Sequence, residues 1–254
     1  MHNPSKTFRI ALVALALAMP ALVSAQTLRF GLAEDPDILD PTLARTFVGR
    51  IVFAALCDKL FDIDEKLNIV PQLATSYQWS ADSKALTIKL RQGVTFHDGE
   101  KLDAAAVKFN IERHKNMAGS NRKGELAPVT SVDVVDPSTV RLNLSAPFSP
   151  LLAQLADRAG MMVSPKAAQG EGEKFGTKPV CSGPFRFVER VAQDRIVLER
   201  FADYWDKDNI KLDRIVYIPI PDSTVRLANL RSGGLDMIER VAATDVDTVK
   251  RMGG

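Results

Sequence analysis

The chain is poor in the residues that build most catalytic and metal centres, with three histidines and two cysteines in 254 positions. No H-x-x-x-H, C-x-x-C or other paired Cys/His spacing occurs, whereas zinc needs three or four ligands converging at about 2.0 to 2.3 Å. No metal site is expected. A G-x-S-x-G elbow is also missing, and Ser182 in "CSGPF" stands before Gly-Pro rather than on a strand-to-helix turn, which removes the usual nucleophile of a Ser-His-Asp hydrolase. The stretch "RSGGLD" lacks the lysine and spacing of a phosphate loop. The neighbouring carboxylates Glu34 and Asp35 diverge in direction and make a poor acid-base pair. The expectation is a protein that is not an enzyme, with no catalytic residues and no cofactor.

Charge of one sign is not in excess either: 33 basic residues stand against 31 acidic ones. Nothing in that balance asks for nucleic acid or an anionic membrane surface as a partner. Low-complexity tracts and short internal repeats are absent, and the 46% hydrophobic and 25% charged fractions are those of an ordinary globular protein. The apolar run Ile10 to Val23 is about 14 residues and contains Pro20, short of the roughly 20 needed to span a bilayer. With Lys6 and Arg9 ahead of it and Val23-Ser24-Ala25 behind, residues 1–25 read as a secretory signal peptide with cleavage before Gln26. No cysteine follows to take a lipid, so a soluble periplasmic protein is expected. Removing the leader leaves 31 basic against 31 acidic residues, a formal charge of zero.

Cys57 and Cys181 both remain after export, in a compartment where disulfides persist. A bridge between them and two buried free thiols are both open at this point, because cysteine also packs as a small hydrophobe.

The remaining pattern is of short strands and helices. Leu28 and Phe30 alternate into an acidic loop, "AEDPDILDP", that carries Glu34, Asp35 and Asp37. "TFVGRIVFAALCDKLF" has apolar residues at helical spacing (Phe47, Ile51, Ala54, Ala55). Leu86, Ile88 and Leu90, and later Val132, Val134, Val140, Leu142 and Leu144, alternate as half-buried strands of hairpins. Asp98-Gly99 marks a turn, and Asp103 stands where a helix N-cap belongs, ahead of "AAAVKFNIERHKN". In that helix His114 falls on a Glu-Arg-His-Lys polar stretch and is expected on its solvated surface. Tyr204 and Trp205 are expected to pack against the core. About ten strands, in hairpins and strand-helix-strand units, give an α/β class of mixed topology.

The stretch from Pro71 to Arg113 resembles the signature region of the extracytoplasmic solute-binding proteins of family 5, the peptide- and nickel-binding subunits of ABC importers. The match rests on Pro71, Leu73, Ala74, Trp79, Ser80, Asp82, Leu90, Arg91, Gly93, Val94, Phe96, His97, Asp98, Gly99, Ala106 and Val107. "AEDPDILDP", "KPVCSGPFRF" through "DYWD", and "LDRIVYIPIPDSTVRLANLRSGGLD" agree in order.

This resemblance implies a mixed-sheet periplasmic-binding-protein-like (type II) lobe with an inserted α/β subdomain. The signal peptide would be 1–25, the first lobe 26–55 and 159–254, and the inserted subdomain 56–158, remote from the ligand; His97 would lie in that remote part. The chain ends where the second lobe should begin, so an N-terminal portion of a two-lobed clamp is expected, binding only weakly alone. The implied partners are a di- or oligopeptide or glutathione-like solute and an inner-membrane ABC permease, the protein itself being a monomer. An exported hydrolase or non-transport binding protein on this scaffold, or a nickel-complex binder, are the alternatives. The expected ligand-binding residues are Glu34, Asp35, Asp37, Ser182 and Gly183.

Overall fold

A computed structural model describes residues 26–252; the signal-peptide assignment lies outside the described residues. Two sheets, each with its own apolar core, carry the fold. The first is five-stranded in the order β11-β1-β10-β9-β8. In it β1 (Thr27–Leu32) runs parallel to both β10 (Arg214–Pro219) and β11 (Met237–Ile238). β9 (Arg195–Arg200) is antiparallel to β10 and to β8 (Phe185–Val191). Against this sheet packs α1 (Phe47–Leu56), which buries Val48, Gly49, Val52, Phe53 and Leu56. Leu32, Leu39, Val52, Phe53, Leu56, Cys57, Cys181, Ile196, Leu198 and Tyr217 belong to the resulting core.

The second sheet is antiparallel with the order β4-β5-β7-β6. It comprises β4 (Ala74–Trp79), β5 (Ala85–Leu90), β6 (Val129–Asp136) and β7 (Thr139–Leu144). Leu86, Ile88 and Leu90 of β5 point inward while Lys89 is exposed, the period-two signature of a strand with one wet face. A small hairpin of β2 (Phe61–Ile63) and β3 (Ile69–Pro71) leads into it. α2 (Ala104–Asn116) covers its apolar face, begun by Asp103, whose carboxylate accepts the Ala106 N–H at 2.9 Å. Gly99 completes the Asp98-Gly99 turn at φ +83°, a region that costs glycine nothing. Of the remaining helices, α3 (Leu151–Leu155), α4 (Pro165–Glu171), α5 (Ser223–Arg231) and α6 (Val246–Arg251), α5 is capped by Asp222.

Two chain crossings join the cores, and polar groups at the joint are satisfied across it. Lys59 bridges Met161, and Val163 bridges Cys181, both antiparallel. Met161 faces one core and Met162 the other. Asn110 of α2, fully buried, accepts the Val163 N–H and donates to the Val163 carbonyl, each at 2.9 Å. Cys57 and Cys181 are bonded as a disulfide.

Both histidines in the described residues lie in this joint, which corrects one expectation. His114 is not on the solvated face of α2: it is fully buried, with Nε2 3.1 Å from the Met161 carbonyl and Nδ1 2.8 Å from Thr42 Oγ1. The carbonyl requires Nε2–H, so Thr42 donates to Nδ1. Next to it Arg113 forms a buried ion pair with Asp40 at 2.6 Å, and this tertiary partner is what draws a polar helix stretch inward. His97, at the Asp98-Gly99 turn, bonds across the joint to the first core's segment. Its Nδ1 accepts the Cys181 N–H at 3.3 Å, its Nε2–H donates to the Gly183 carbonyl at 3.0 Å, and its ring meets Phe201 edge-on at 5.0 Å. On the other side of the crossing Asp58, also buried, accepts Trp205 Nε1–H at 2.7 Å and Tyr204 O–H at 3.2 Å.

Replacing both cysteines by alanine releases a constraint between residues 124 apart. The chain-entropy model expects a loss of about 4 to 5 kcal/mol, read by urea titration; a loss under about 1 kcal/mol would show that the noncovalent joint alone restrains the chain. Burial pushes His97 and His114 down to about 4 and Asp58 up to about 7. Between about pH 4.5 and 6 the unfolded chain therefore holds two histidine protons that the folded chain lacks, and the folded chain holds one Asp58 proton that the unfolded chain lacks. These three groups make stability fall by about 1.4 kcal/mol per pH unit on acidification. Asp58→Asn removes the opposing proton and should roughly double that slope, measured by denaturation across this range.

Candidate functional site

The parallel strands β1, β10 and β11 end together, and the loops after their carboxyl ends form a rim, the position where open α/β sheets take ligands. Backbone bonds draw the loops into register. The Ile220 N–H donates to the Leu32 carbonyl at 2.8 Å, and the Glu239 N–H to the Gly31 carbonyl at 3.2 Å. Glu239 in turn accepts the Ala33 N–H at 2.7 Å. Beneath them the buried Arg226 of α5 donates to three carbonyls, those of Ile220, Pro221 and Arg240, at 2.6, 2.9 and 3.1 Å. One guanidinium thus ties the loop after β10 to the loop after β11.

Arg240 adopts φ +51°, a left-handed conformation that costs a non-glycine residue roughly 1 kcal/mol or more. Its guanidinium lies 5.4 Å from the centre of the Phe47 ring. Phe47 opens α1 with 53% of its surface exposed, although helical spacing placed it with the core-facing residues. No acidic residue lies in the first turn of α1, and Thr46 does not cap it through its side chain. Its hydroxyl donates instead to Asp37 at 3.1 Å.

The five residues expected to bind ligand have different roles in this arrangement. Glu34 is half-buried at the end of β1 and has no ion-pair partner among the described residues. Asp35 turns away to pair with Arg190 of β8 and to accept the Gln193 N–H, both at 3.0 Å, leaving Oδ1 buried without a partner. Asp37 anchors the turn into α1, accepting the Arg45 N–H at 2.9 Å as well as Thr46. Burial raises its pKa, but the N–H groups of Arg45 and Ile38 and the Thr46 hydroxyl outweigh that and leave it below the usual carboxylate range. Ser182 is fully buried and its hydroxyl has no partner. Gly183 is engaged in the joint: its N–H donates to the Leu56 carbonyl at 3.0 Å and its carbonyl accepts from His97. A Cβ there would lie 2.6 Å from the Leu56 carbonyl carbon, so close packing of the joint demands this glycine.

Phe47, Glu239 and Arg240 were missed in the sequence. The usable signal was a charged pair directly following a two-residue strand, "MIER". Among the described residues no group of three or more His, Cys, Asp and Glu gathers to hold a metal, and no helix is long and apolar enough to cross a membrane.

Comparisons with known proteins agree with this architecture. The glutathione-binding protein GsiB of Pectobacterium atrosepticum is 36% identical over 196 residues, 77% of this chain and 38% of that protein. The protein of the same name from Escherichia coli K12 is 33% identical over 230 residues, 89% of this chain and 45% of its own length. Among solved structures, the binding protein AgaA of A. tumefaciens R10, in complex with agropinic acid, is 32% identical with a TM-score of 0.84, over 89% of this chain and 46% of that one. OppA of Burkholderia pseudomallei, at 20% identity, shares the fold with a TM-score of 0.83 over 91% of this chain and 49% of its own. The chain spans less than half the length of each. The model of the bacterial extracellular solute-binding proteins, family 5 middle, matches residues 68–254. The chain belongs to that family, the extracellular solute-binding proteins of family 5.

Proposed function

We propose that the protein is the periplasmic substrate-binding component of an ABC importer. It takes a small peptide or glutathione-like solute at the rim of its parallel strands and delivers it to an inner-membrane permease as a non-catalytic monomer. The observation that carries this reading is the rim itself, where half-buried Glu34 follows β1 and strained Arg240, lying over the exposed Phe47, follows β11. Such a surface mixes apolar contact with a few oriented polar groups, as small-molecule sites do. Membership of a solute-binding family and likeness to glutathione-binding relatives support it.

In this reading residues 26–55 and 159–254 form the ligand-facing lobe, and 56–158 the inserted subdomain. The presence of two apolar cores supports the division: membership changes between Cys57 and Leu60 and again between Ala159 and Val163, within a few residues of those bounds. Glu34 is the acidic group of the rim that is free to meet a solute amine. Asp35 and Asp37 shape the loop that presents it.

Saturation-transfer NMR registers weak association and tests the proposal directly. The panel comprises a dipeptide, a tetrapeptide, glutathione and the nickel–histidine complex. Transfer to a peptide or to glutathione is expected, with a loss of about tenfold in affinity for Glu34→Gln if the solute amine meets that carboxylate. A panel in which no member receives magnetisation would overturn the solute reading, and response to the nickel complex alone would replace it with that of a metal-complex binder.

A further inference from the structure

The Cys57–Cys181 bond lies where two segments of chain are already in backbone contact. Cys57 ends α1, its N–H donating to the Phe53 carbonyl at 2.8 Å, and the Leu56 carbonyl beside it takes the Gly183 N–H at 3.0 Å. Opposite, Cys181 is held by three contacts. It bridges Val163, its carbonyl accepts the His97 N–H at 2.8 Å, and its own N–H donates to His97 Nδ1 at 3.3 Å. The two Cα atoms are 4.9 Å apart, and both side chains are buried in the core of the first sheet. A Cβ on Gly183 would meet the Cys57 nitrogen at 2.8 Å as well as the Leu56 carbonyl carbon at 2.6 Å, so a bare Cα is all that separates the segments there.

This geometry suits bonded sulfurs and not free thiols. A disulfide sets its sulfurs about 2 Å apart, whereas unbonded heavy atoms rest at about 3.5 to 4 Å. Reduction therefore asks for roughly 1.5 Å more room. A protein interior is packed as densely as an organic crystal, and extra bulk there is met by shifted backbone or strained side chains. Turning a thiol aside sends it into the same filled core, of which Phe53, Leu56 and Val163 are fully buried members.

The two sides of the joint do not yield equally. Cys181 is bonded to His97 and Val163, both from outside its own segment, while the end of α1 is held across the joint by the Leu56–Gly183 bond. The helix is therefore the part that gives. Its amino end is tethered, because Arg158 Nη1 donates to the Thr46 carbonyl at 3.3 Å and Arg50 pairs with Asp157 at 2.7 Å. A helix pushed at one end and tethered at the other tilts, here over ten residues, a length of about 15 Å. Tilting turns Phe47 relative to Arg240, whose guanidinium lies 5.4 Å from the centre of its ring.

We propose that the Cys57–Cys181 pair is a thiol–disulfide switch that sets the rim. As a disulfide it lets the joint close and fixes the direction of α1; as two thiols it crowds the joint, tilts α1 and parts Phe47 from Arg240. This inference rests on the periplasmic solute-binding reading above and adds a regulation of the same rim. Closing the switch passes two electrons and two protons from the thiols to a disulfide-bearing exchange partner, which leaves as two thiols. Cytosolic conditions keep thiols reduced and the periplasm keeps them oxidised. A chain not yet exported thus carries an unformed rim, and acquires it on the side of the membrane where solute is met.

Backbone amide NMR of the full chain tests this in three samples: the oxidised chain, the chain folded with a phosphine reductant, and Cys57→Ala/Cys181→Ala, whose two methyl groups need less space than two thiols. Sucrose in all three favours the compact state. The signals read are those of Phe47, Arg50 and Arg240, none of them adjacent to a substituted residue, with Leu86 and Ile88 of β5 as the reference. The rim signals should coincide in the oxidised chain and the alanine pair and be displaced in the reduced chain, while the β5 signals stay in place throughout. Should the alanine pair not fold, Cys181→Ala, with one thiol and no crowding, takes its place. Superposition of the reduced chain on the oxidised one would show that two thiols fit the joint and would overturn the proposal. Equal displacement in the alanine variant would assign the change to the lost cross-link and overturn it too, as would collapse of the β5 signals on reduction, which would make the bond a support of the whole fold. Saturation transfer to the peptides of the panel separates this from the reading beneath it: displaced rim signals with a silent panel sustain the switch and refute the solute reading, and unmoved rim signals with a responding panel do the reverse.

Discussion

The structure depends on one close approach, that of the Cys181–Gly183 segment to the end of α1. Gly183 lies where any Cβ would strike the backbone of Leu56 at 2.6 Å, and its N–H closes a 3.0 Å bond to the Leu56 carbonyl. The Cys57–Cys181 disulfide fastens the same two segments, and His97 from the other core bonds to both Cys181 and Gly183. Three remote stretches are therefore held at one point, and the direction in which α1 projects Phe47 and Arg50 follows from it. A displacement at the joint would be carried along α1 to the rim, because a helix moves as a rigid body over a few turns.

Electrostatic pairing organises the joint. Inside the joint, charges and dipoles are matched: Arg113 with Asp40, His114 between Thr42 and Met161, and Asp58 between Trp205 and Tyr204. Matching of this kind is what allows polar groups to be removed from water without a large penalty. Buried polar atoms without a partner among the described residues occur in the joint, at Ser182 Oγ, and outside it, at Asp35 Oδ1, Glu125 Oε2 and the Nε atoms of Arg122, Arg158, Arg190 and Arg226.

How far the sequence disclosed this varies with the range of the interaction. Leu86, Ile88 and Leu90 in β5, the Asp98-Gly99 turn and the Asp103 cap were legible because each is decided within a few residues. His114 was misjudged because the groups that bury it, Thr42 and Met161, lie 72 and 47 residues away. Asp35 read as a free acidic loop residue because Arg190, 155 positions on, is invisible to local pattern. Glu34, beside it, has no such partner among the described residues. Arg158 did carry a local signal, a charge set inside the apolar stretch "QLADRAGMMV". Lysine, arginine and the acids are almost never fully buried without a partner, so a charge in such a run marks a position with a reason behind it.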